Sequence, residues 1–206
     1  MKAPLRLTDR KREAIVLAAI AEFRVNGFDV TSMDKIAAVA QVSKRTVYNH
    51  FPSKEELFSE ILQRLWTSST DLQDMTYHPE RPLRDQLKAL LESKMRTLAD
   101  SNFIDLARVA IAATIHSPER AQNMVSRLNE REESFTAWIR AAQLDGRFKA
   151  VDPSFAATQI HALIKAFAFW PQITQGAETL ASCAQESVME STLSLFLGWY
   201  EIPTAQ

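Results

Sequence analysis

Residues 31–57 run Thr31-Ser32-Met33-Asp34-Lys35-Ile36-Ala37-Ala38-Val39-Ala40-Gln41-Val42-Ser43-Lys44-Arg45-Thr46-Val47-Tyr48-Asn49-His50-Phe51-Pro52-Ser53-Lys54-Glu55-Glu56-Leu57. Thr31 and Ser32 are good N-cap types, because a short side-chain oxygen can accept from a free amide of the first helical turn. Ile36, Ala37 and Ala40 then fall at helical spacing. A tight turn at Gln41-Val42 leads to Ser43, another N-cap. The helix it opens runs from Lys44 to about Phe51. Pro52 stops it, since proline lacks the amide that would continue the ladder. Ser53 caps the next helix, and Glu56 stands three residues on, at the capping-box spacing.

Two short helices joined by a tight turn have the layout of a helix-turn-helix. In that layout the second helix enters the major groove with its N-terminal side chains on base edges. Lys44 and Arg45 open this helix and are long enough to reach guanine acceptors or phosphates. Thr46, Tyr48, Asn49 and His50 offer hydrogen bonds without negative charge. Val47 and Phe51, four apart, can anchor the helix against Ile36, Val39 and Phe23. No acidic residue lies between Lys35 and Lys54. Lys54 sits in the first turn of the following helix, where free amides and the helix dipole also attract phosphate.

Outward from this stretch the helical signals continue. Upstream, a helix starts near Thr8-Asp9, carries Ile15, Ala18, Ala19 and Phe23 on one face, and ends at Asn26-Gly27. Downstream, His78-Pro79-Glu80-Arg81-Pro82 is a linker, because two prolines in four residues break any helix. Leu83–Leu98 repeats apolar residues at three and four. Phe103–Ile115 is a short apolar helix. Ser117-Pro118 starts a helix that could run to about Leu144. Two final helices are expected at about 153–170 and 178–200, parted by Pro171 and Gly176. No convincing alternating strand occurs, and no hairpin dipeptide stands between two strand-like runs. The expected fold is all-α, with about nine helices. Residues 1–54 form a three-helix helix-turn-helix domain, the helix at 55–75 connects, and residues 76–206 form a larger helical bundle.

Composition narrows the function classes. The four glycines, Gly27, Gly146, Gly176 and Gly198, are too far apart for a phosphate-cradling loop. The single Cys183 has no partner for a disulfide or a structural zinc site, which fits a reducing cytoplasm. No metal site, cofactor or catalytic residue is expected: His-Glu-x-x-His, paired Glu-x-x-His and Gly-x-Ser-x-Gly patterns are lacking. Glu130-Arg131-Glu132-Glu133 reads as a solvated helix face. The stretch Ile15-Val16-Leu17-Ala18-Ala19-Ile20 is short, flanked by Glu13 and Glu22, and reads as a helix face; no run suits a bilayer span. Charge is uneven. Residues 1–54 carry ten Lys/Arg against five Asp/Glu, and the remainder fourteen against twenty. A basic segment on an acidic body points to a polyanion as partner for the first part.

The 31–57 stretch closely resembles the signature of TetR-family transcriptional regulators: an Ile-Ala core, a Val-Ser turn exit, Thr-Val-Tyr, an aromatic helix end and Ser-Lys-Glu-Glu-Leu. The likeness spans about residues 8–66, including Ala21-Glu22-Phe23 and the Gly27-Phe28 turn. The resemblance implies that Lys44, Arg45 and Thr46 approach bases or adjacent phosphates. Tyr48, His50 and Lys54 would grip the backbone, with Asn49 beside them. Thr31 and Ser32 would present a hydroxyl and amides to phosphate. One position departs from the family, which usually has glycine where Gln41 stands. Either Gln41 carries the turn's positive φ at about 1 kcal/mol, or the turn differs.

The resemblance further implies a C-terminal body that dimerises and often encloses a small-molecule pocket. Phe155, Ile160, Leu163, Phe167 and Trp170 give one late helix an apolar surface broad for a single core face. Leu193, Phe196 and Leu197, with Trp199 and Tyr200, do the same for the last. These are the expected homodimer contacts. Met95, Phe103, Ile111, Met124, Phe135 and Trp138 are the candidate walls for a small apolar or aromatic ligand. The expected function is a repressor of double-stranded operator DNA, released from a palindromic site by a ligand. An activator or ligand-independent regulator with the same DNA-binding domain is the alternative; an enzyme on a helical bundle is remote.

Overall fold

The structure, a computed structural model, describes residues 7–69, 76–115, 117–122 and 134–202, with backbone alone at 66–69. Its described elements are helical: α1 (Leu7–Asn26), α2 (Met33–Val39), α3 (Lys44–His50), α4 (Lys54–Ser69), α5 (Leu83–Ala99), α6 (Ser101–Ile115), α7 (Ser134–Leu144), α8 (Pro153–Ala168), α9 (Trp170–Gln175) and α10 (Ser182–Tyr200). Residues 118–122 are also helical. Among the described residues the β-type pairing is a lone antiparallel bridge between Phe148 and Glu201. The all-α expectation holds.

The chain divides into two compact units. One takes residues to Thr67 together with Asp105–Ser126; the other takes Ser68–Ile104 and the chain from Arg127. Much of α6 thus groups with the N-terminal helices, which a single boundary near residue 76 does not anticipate. The first unit is built on Ile15, Ala19, Phe23, Ile36, Val47, Phe51, Leu57 and Ile61, with Leu106, Val109 and Ala113 packed on them. Phe28 joins this core with its ring centroid 5.1 Å from Phe23 and 5.0 Å from Phe58. Such offset and tilted pairs add to the area they bury.

An ion-pair network ties α1 to α4. Arg12 donates to both Glu60 oxygens, at 2.9 and 2.6 Å. Arg64 donates to Glu60 at 3.1 Å and to both Glu13 oxygens at 2.9 and 2.8 Å. The Arg12 hydrogen bonds, with help from Arg64 and against the effect of burial, hold the Glu60 carboxyl down from 4.5 to about 2.

The second unit packs α5, α7, α8 and α10 around Leu87, Leu90, Leu91, Phe135, Trp138, Ile160, Ile164 and Leu193. The 78–82 linker is pinned. Buried Gln86 accepts from the His78 amide at 2.8 Å and donates to the carbonyls of His78 and Arg81 at 2.8 and 2.9 Å. The Arg147 guanidinium reaches the same segment, donating to Pro79 and Arg81 carbonyls at 2.6 and 2.9 Å. Phe148 stacks on Tyr200 with centroids 5.1 Å apart and packs edge-on to Trp138 at 6.2 Å, closing the α7–α8 connection on the end of α10. The expected continuous helix from Pro118 to Leu144 begins and ends as read; its middle lies outside the described residues. The short α9 was not foreseen. Pro171 opens it at its first turn, and Gly176 closes it in the left-handed conformation.

Candidate DNA-reading surface

Local chemistry fixes the helix-turn-helix. Ser32 caps α2, its Oγ accepting from the Lys35 amide at 3.2 Å. Ser43 caps α3 the same way, accepting from the Thr46 amide at 3.1 Å. Ser53 accepts from the Glu56 amide at 3.1 Å. The turn between α2 and α3 is a Schellman motif. The Val42 amide bonds the Ala37 carbonyl at 3.1 Å, and the Gln41 amide bonds the Ala38 carbonyl at 3.2 Å. That pairing requires the left-handed conformation at Gln41, which has φ 54, alone among the described non-glycine residues. The α2–α3 turn therefore keeps the glycine-type geometry and bears the side-chain cost.

The helix α3 has two faces. Val47 is fully buried and Phe51, just past its end, nearly so, anchoring the helix in the first unit's core. Phe23 and Ile36 share that core, as expected. Val39 does not: at the last position of α2 it is 43% exposed. The outer face of α3 carries Lys44, Arg45, Tyr48 and Asn49, all exposed. Thr46 and His50 are half-buried between the faces. The Thr46 hydroxyl lies 2.8 Å from that of Ser43, within the cap. Lys44 pairs with Asp34 of α2 across the turn. Both side chains are largely exposed, so this pair contributes little to stability.

Two expected phosphate contacts have other employment. Thr31 is buried; its hydroxyl donates to the Gly27 carbonyl at 2.8 Å, with the Glu22 carbonyl at 3.4 Å. It closes the end of α1, and its side chain is not on the surface. The Lys54 ammonium donates to three carbonyls, those of Phe28, Asp29 and Thr31, at 2.7, 3.1 and 3.0 Å. It also lies over the Phe28 ring, 4.6 Å from the centroid. Three N–H groups on three carbonyls leave no donor over for a phosphate. Lys54 clamps the α1–α2 loop to the start of α4. Ser32 remains exposed, its Oγ accepting from the Lys35 amide in the cap.

In the second unit, Phe155, Phe167 and Trp170 are 54%, 56% and 48% exposed and Leu163 is half-buried, whereas Ile160 is fully buried and belongs to the core. Leu193, Phe196 and Leu197 are interior, as is Tyr200. Their shared face of α10 turns toward α5 and α8, so these expected dimer contacts are corrected to core. The opposite face of α10 exposes Leu195 at 61% and Trp199 at 67%. Leu195 escaped the sequence reading, which took the most apolar face for the outer one. Of the candidate ligand walls, Met95, Phe103, Phe135 and Trp138 are buried and Ile111 is half-buried. Trp138 packs edge-on to Tyr77 and Phe148, and its Nε1 donates to Gln86 Oε1 at 3.4 Å. Met124 lies outside the described residues. No group of metal-binding side chains occurs among the described residues, and no described helix is long and apolar enough to cross a membrane.

With this geometry in hand, known proteins supply the family. Residues 15–61 match the bacterial regulatory proteins of the tetR family, and residues 85–202 match the C-terminal domain of AefR-like transcriptional repressors. The chain belongs to the TetR family. A TetR family transcriptional regulator from Pseudomonas syringae pv. tomato str. DC3000 is 64% identical and superposes with a TM-score of 0.85, covering 96% of this chain and 100% of that one. The HTH-type regulator YhgD of Bacillus subtilis is 30% identical over 158 residues, 72% of this chain and 77% of its own. The flavonoid-responsive regulator FrrA is 25% identical, with a TM-score of 0.71 over 95% and 100% of the two chains. This TetR-family chain is a DNA-binding transcriptional regulator.

Proposed function

We propose that the protein is a cytoplasmic, homodimeric repressor whose two α3 helices read a palindromic operator, and that a small apolar or aromatic molecule bound by residues 76–206 releases it. The observation that carries the DNA-reading part is the outer face of α3. It presents Arg45, Tyr48 and Asn49 on a helix whose other face is locked by Val47 and Phe51. A rigid helix with hydrogen-bonding side chains and no carboxylates of its own suits base edges flanked by phosphates. Arg45 reads bases, Tyr48 and Ser32 hold the phosphate backbone, and Lys54 acts indirectly by fixing the loop before α2.

Phe155, Phe167, Trp170, Leu195 and Trp199 support self-association, since exposed aromatics on adjacent helices are the material of a hydrophobic interface. Two-fold symmetry then presents paired reading helices to half-sites one DNA turn or more apart. The repressor direction rests on the C-terminal match to a repressor domain. The aromatic ligand class rests on the buried Met95, Phe103 and Phe135 and on the flavonoid response of FrrA. Release requires tighter ligand binding to a state that holds the operator poorly.

The test is protection mapping on a fragment selected from genomic DNA, with and without a panel of flavonoids and simple aromatics. Two symmetric half-sites, lost on adding one panel member, are expected. A single asymmetric footprint would overturn the dimeric reading, and a footprint indifferent to every aromatic would overturn the assigned ligand class.

A further inference from the structure

The α1–α2 loop, residues 27–32, is held from outside the helix-turn-helix. Arg120 lies in the helical stretch 118–122, which groups with the first unit although it is 91 residues from Asp29 in sequence. Its guanidinium carbon sits 4.4 Å from the centroid of the Phe28 ring. Nη2 donates to Asp29 Oδ1 at 2.9 Å, and Nη1 donates to the Ala113 carbonyl at 3.2 Å. The same ring carries the Lys54 ammonium at 4.6 Å. Two cations lie over one buried aromatic, each also bonded to its surroundings; with the Thr31 hydroxyl and the Phe28 core contacts they fix the loop, whose Val30 projects outward at 83% exposure.

That loop decides where α2 begins. It ends on Ser32, the α2 cap, and α2 passes through the strained Gln41 turn directly into α3. We propose that Arg120 is a positioning residue for DNA binding: it contacts no DNA, but it holds the Phe28 loop and thereby the orientation of the reading helix. Arg120 lies beyond residues 15–61, the DNA-binding match, so nothing in that match assigns it this role. Its face is stacked, two of its N–H groups are committed, and the side chain is 30% exposed. A chain that loses this latch spends part of its time with α3 misplaced, and apparent affinity falls by the fraction that stays competent. A cation–π contact together with a partly exposed ion pair makes a roughly tenfold loss the scale to look for.

The experiment is equilibrium binding of the full chain to a fragment selected from genomic DNA, across a salt series, for wild type, Arg120→Ala, Arg120→Lys and Phe28→Leu. Arg120→Ala should bind about tenfold more weakly with an unchanged slope of log affinity against log salt, because no phosphate contact is lost. Arg120→Lys keeps the charge but not the planar stack and paired donors, so it should fall between. Phe28→Leu should reproduce the loss, and Arg120→Ala should add little in that background. Circular dichroism confirms that each variant is helical; Arg120→Lys alone decides the matter where Arg120→Ala does not fold. Wild-type affinity in Arg120→Ala, a slope shallower by about one, or full affinity in Arg120→Lys would each overturn the proposal.

Discussion

The reading helix and the last helix treat their exposed faces in opposite ways. On α3 the apolar side chains, Val47 and Phe51, are inside and the outer face is Lys44, Arg45, Tyr48 and Asn49. On α10 the inside is equally apolar, yet Leu195 and Trp199 still face outward. A short helix anchored by two residues and polar elsewhere suits a wet, charged partner. A long helix with large apolar groups on both sides suits a dry one. What each helix leaves uncovered after its own core is filled differs in kind: polar and cationic on α3, apolar on α10.

The comparison breaks first if the anchor of α3 is removed. Phe51→Ala should cost about 3–5 kcal/mol, as large aromatic truncations in cores do, seen as an early transition of the first unit in denaturant. The other side of the comparison is tested by Leu195→Glu with Trp199→Glu. If α10 buries these groups against a second copy, the pair should weaken self-association by at least 30- to 1000-fold, on the scale of about 2–4 kcal/mol for interface hot spots. Sedimentation at micromolar concentration reads the result.

Acid sharpens the account of how the first unit is held. Glu60 has a folded pKa of about 2 against 4.5 unperturbed, so its contribution is complete above about 4.5 and is lost as pH falls toward 2. Glu60→Gln should cost about 1–2 kcal/mol at neutral pH, allowing for solvent around the arginines. The gap between mutant and wild type should close between pH 4.5 and 2 in denaturant titrations. The smallest effect belongs to the turn. Gln41→Gly relieves a left-handed side chain and should raise stability by about 1 kcal/mol, read as a higher melting temperature with the fold unchanged.

The first unit was legible because its signals are local. Ser32, Ser43 and Ser53 cap helices within three residues of themselves, and Pro52 stops one by its own geometry. The left-handed Gln41 was one of two readings, and the backbone selects it. Thr31 and Lys54 were misread for one reason: their partners are carbonyls of a loop whose path is set by tertiary packing. Nothing in local sequence separates a lysine that reaches outward from one that folds back. The α10 face failed similarly. Leu193, Phe196 and Leu197 and the opposite pair Leu195 and Trp199 are both apolar stripes, and only contact with α5 and α8 tells which is inside. The grouping of Asp105–Ser126 with the N-terminal helices is long-range and has no local signature.

The most direct test of the central claim is the ratio of operator to non-operator affinity in Arg45→Ala, measured at one salt concentration beside Tyr48→Ala. If α3 reads bases through its outer face, Arg45→Ala lowers that ratio about tenfold or more, the value of a good base contact. Tyr48→Ala lowers both affinities together and leaves the ratio in place. An Arg45→Ala protein that loses both affinities equally, or neither, would contradict the assignment of α3 as the reading helix.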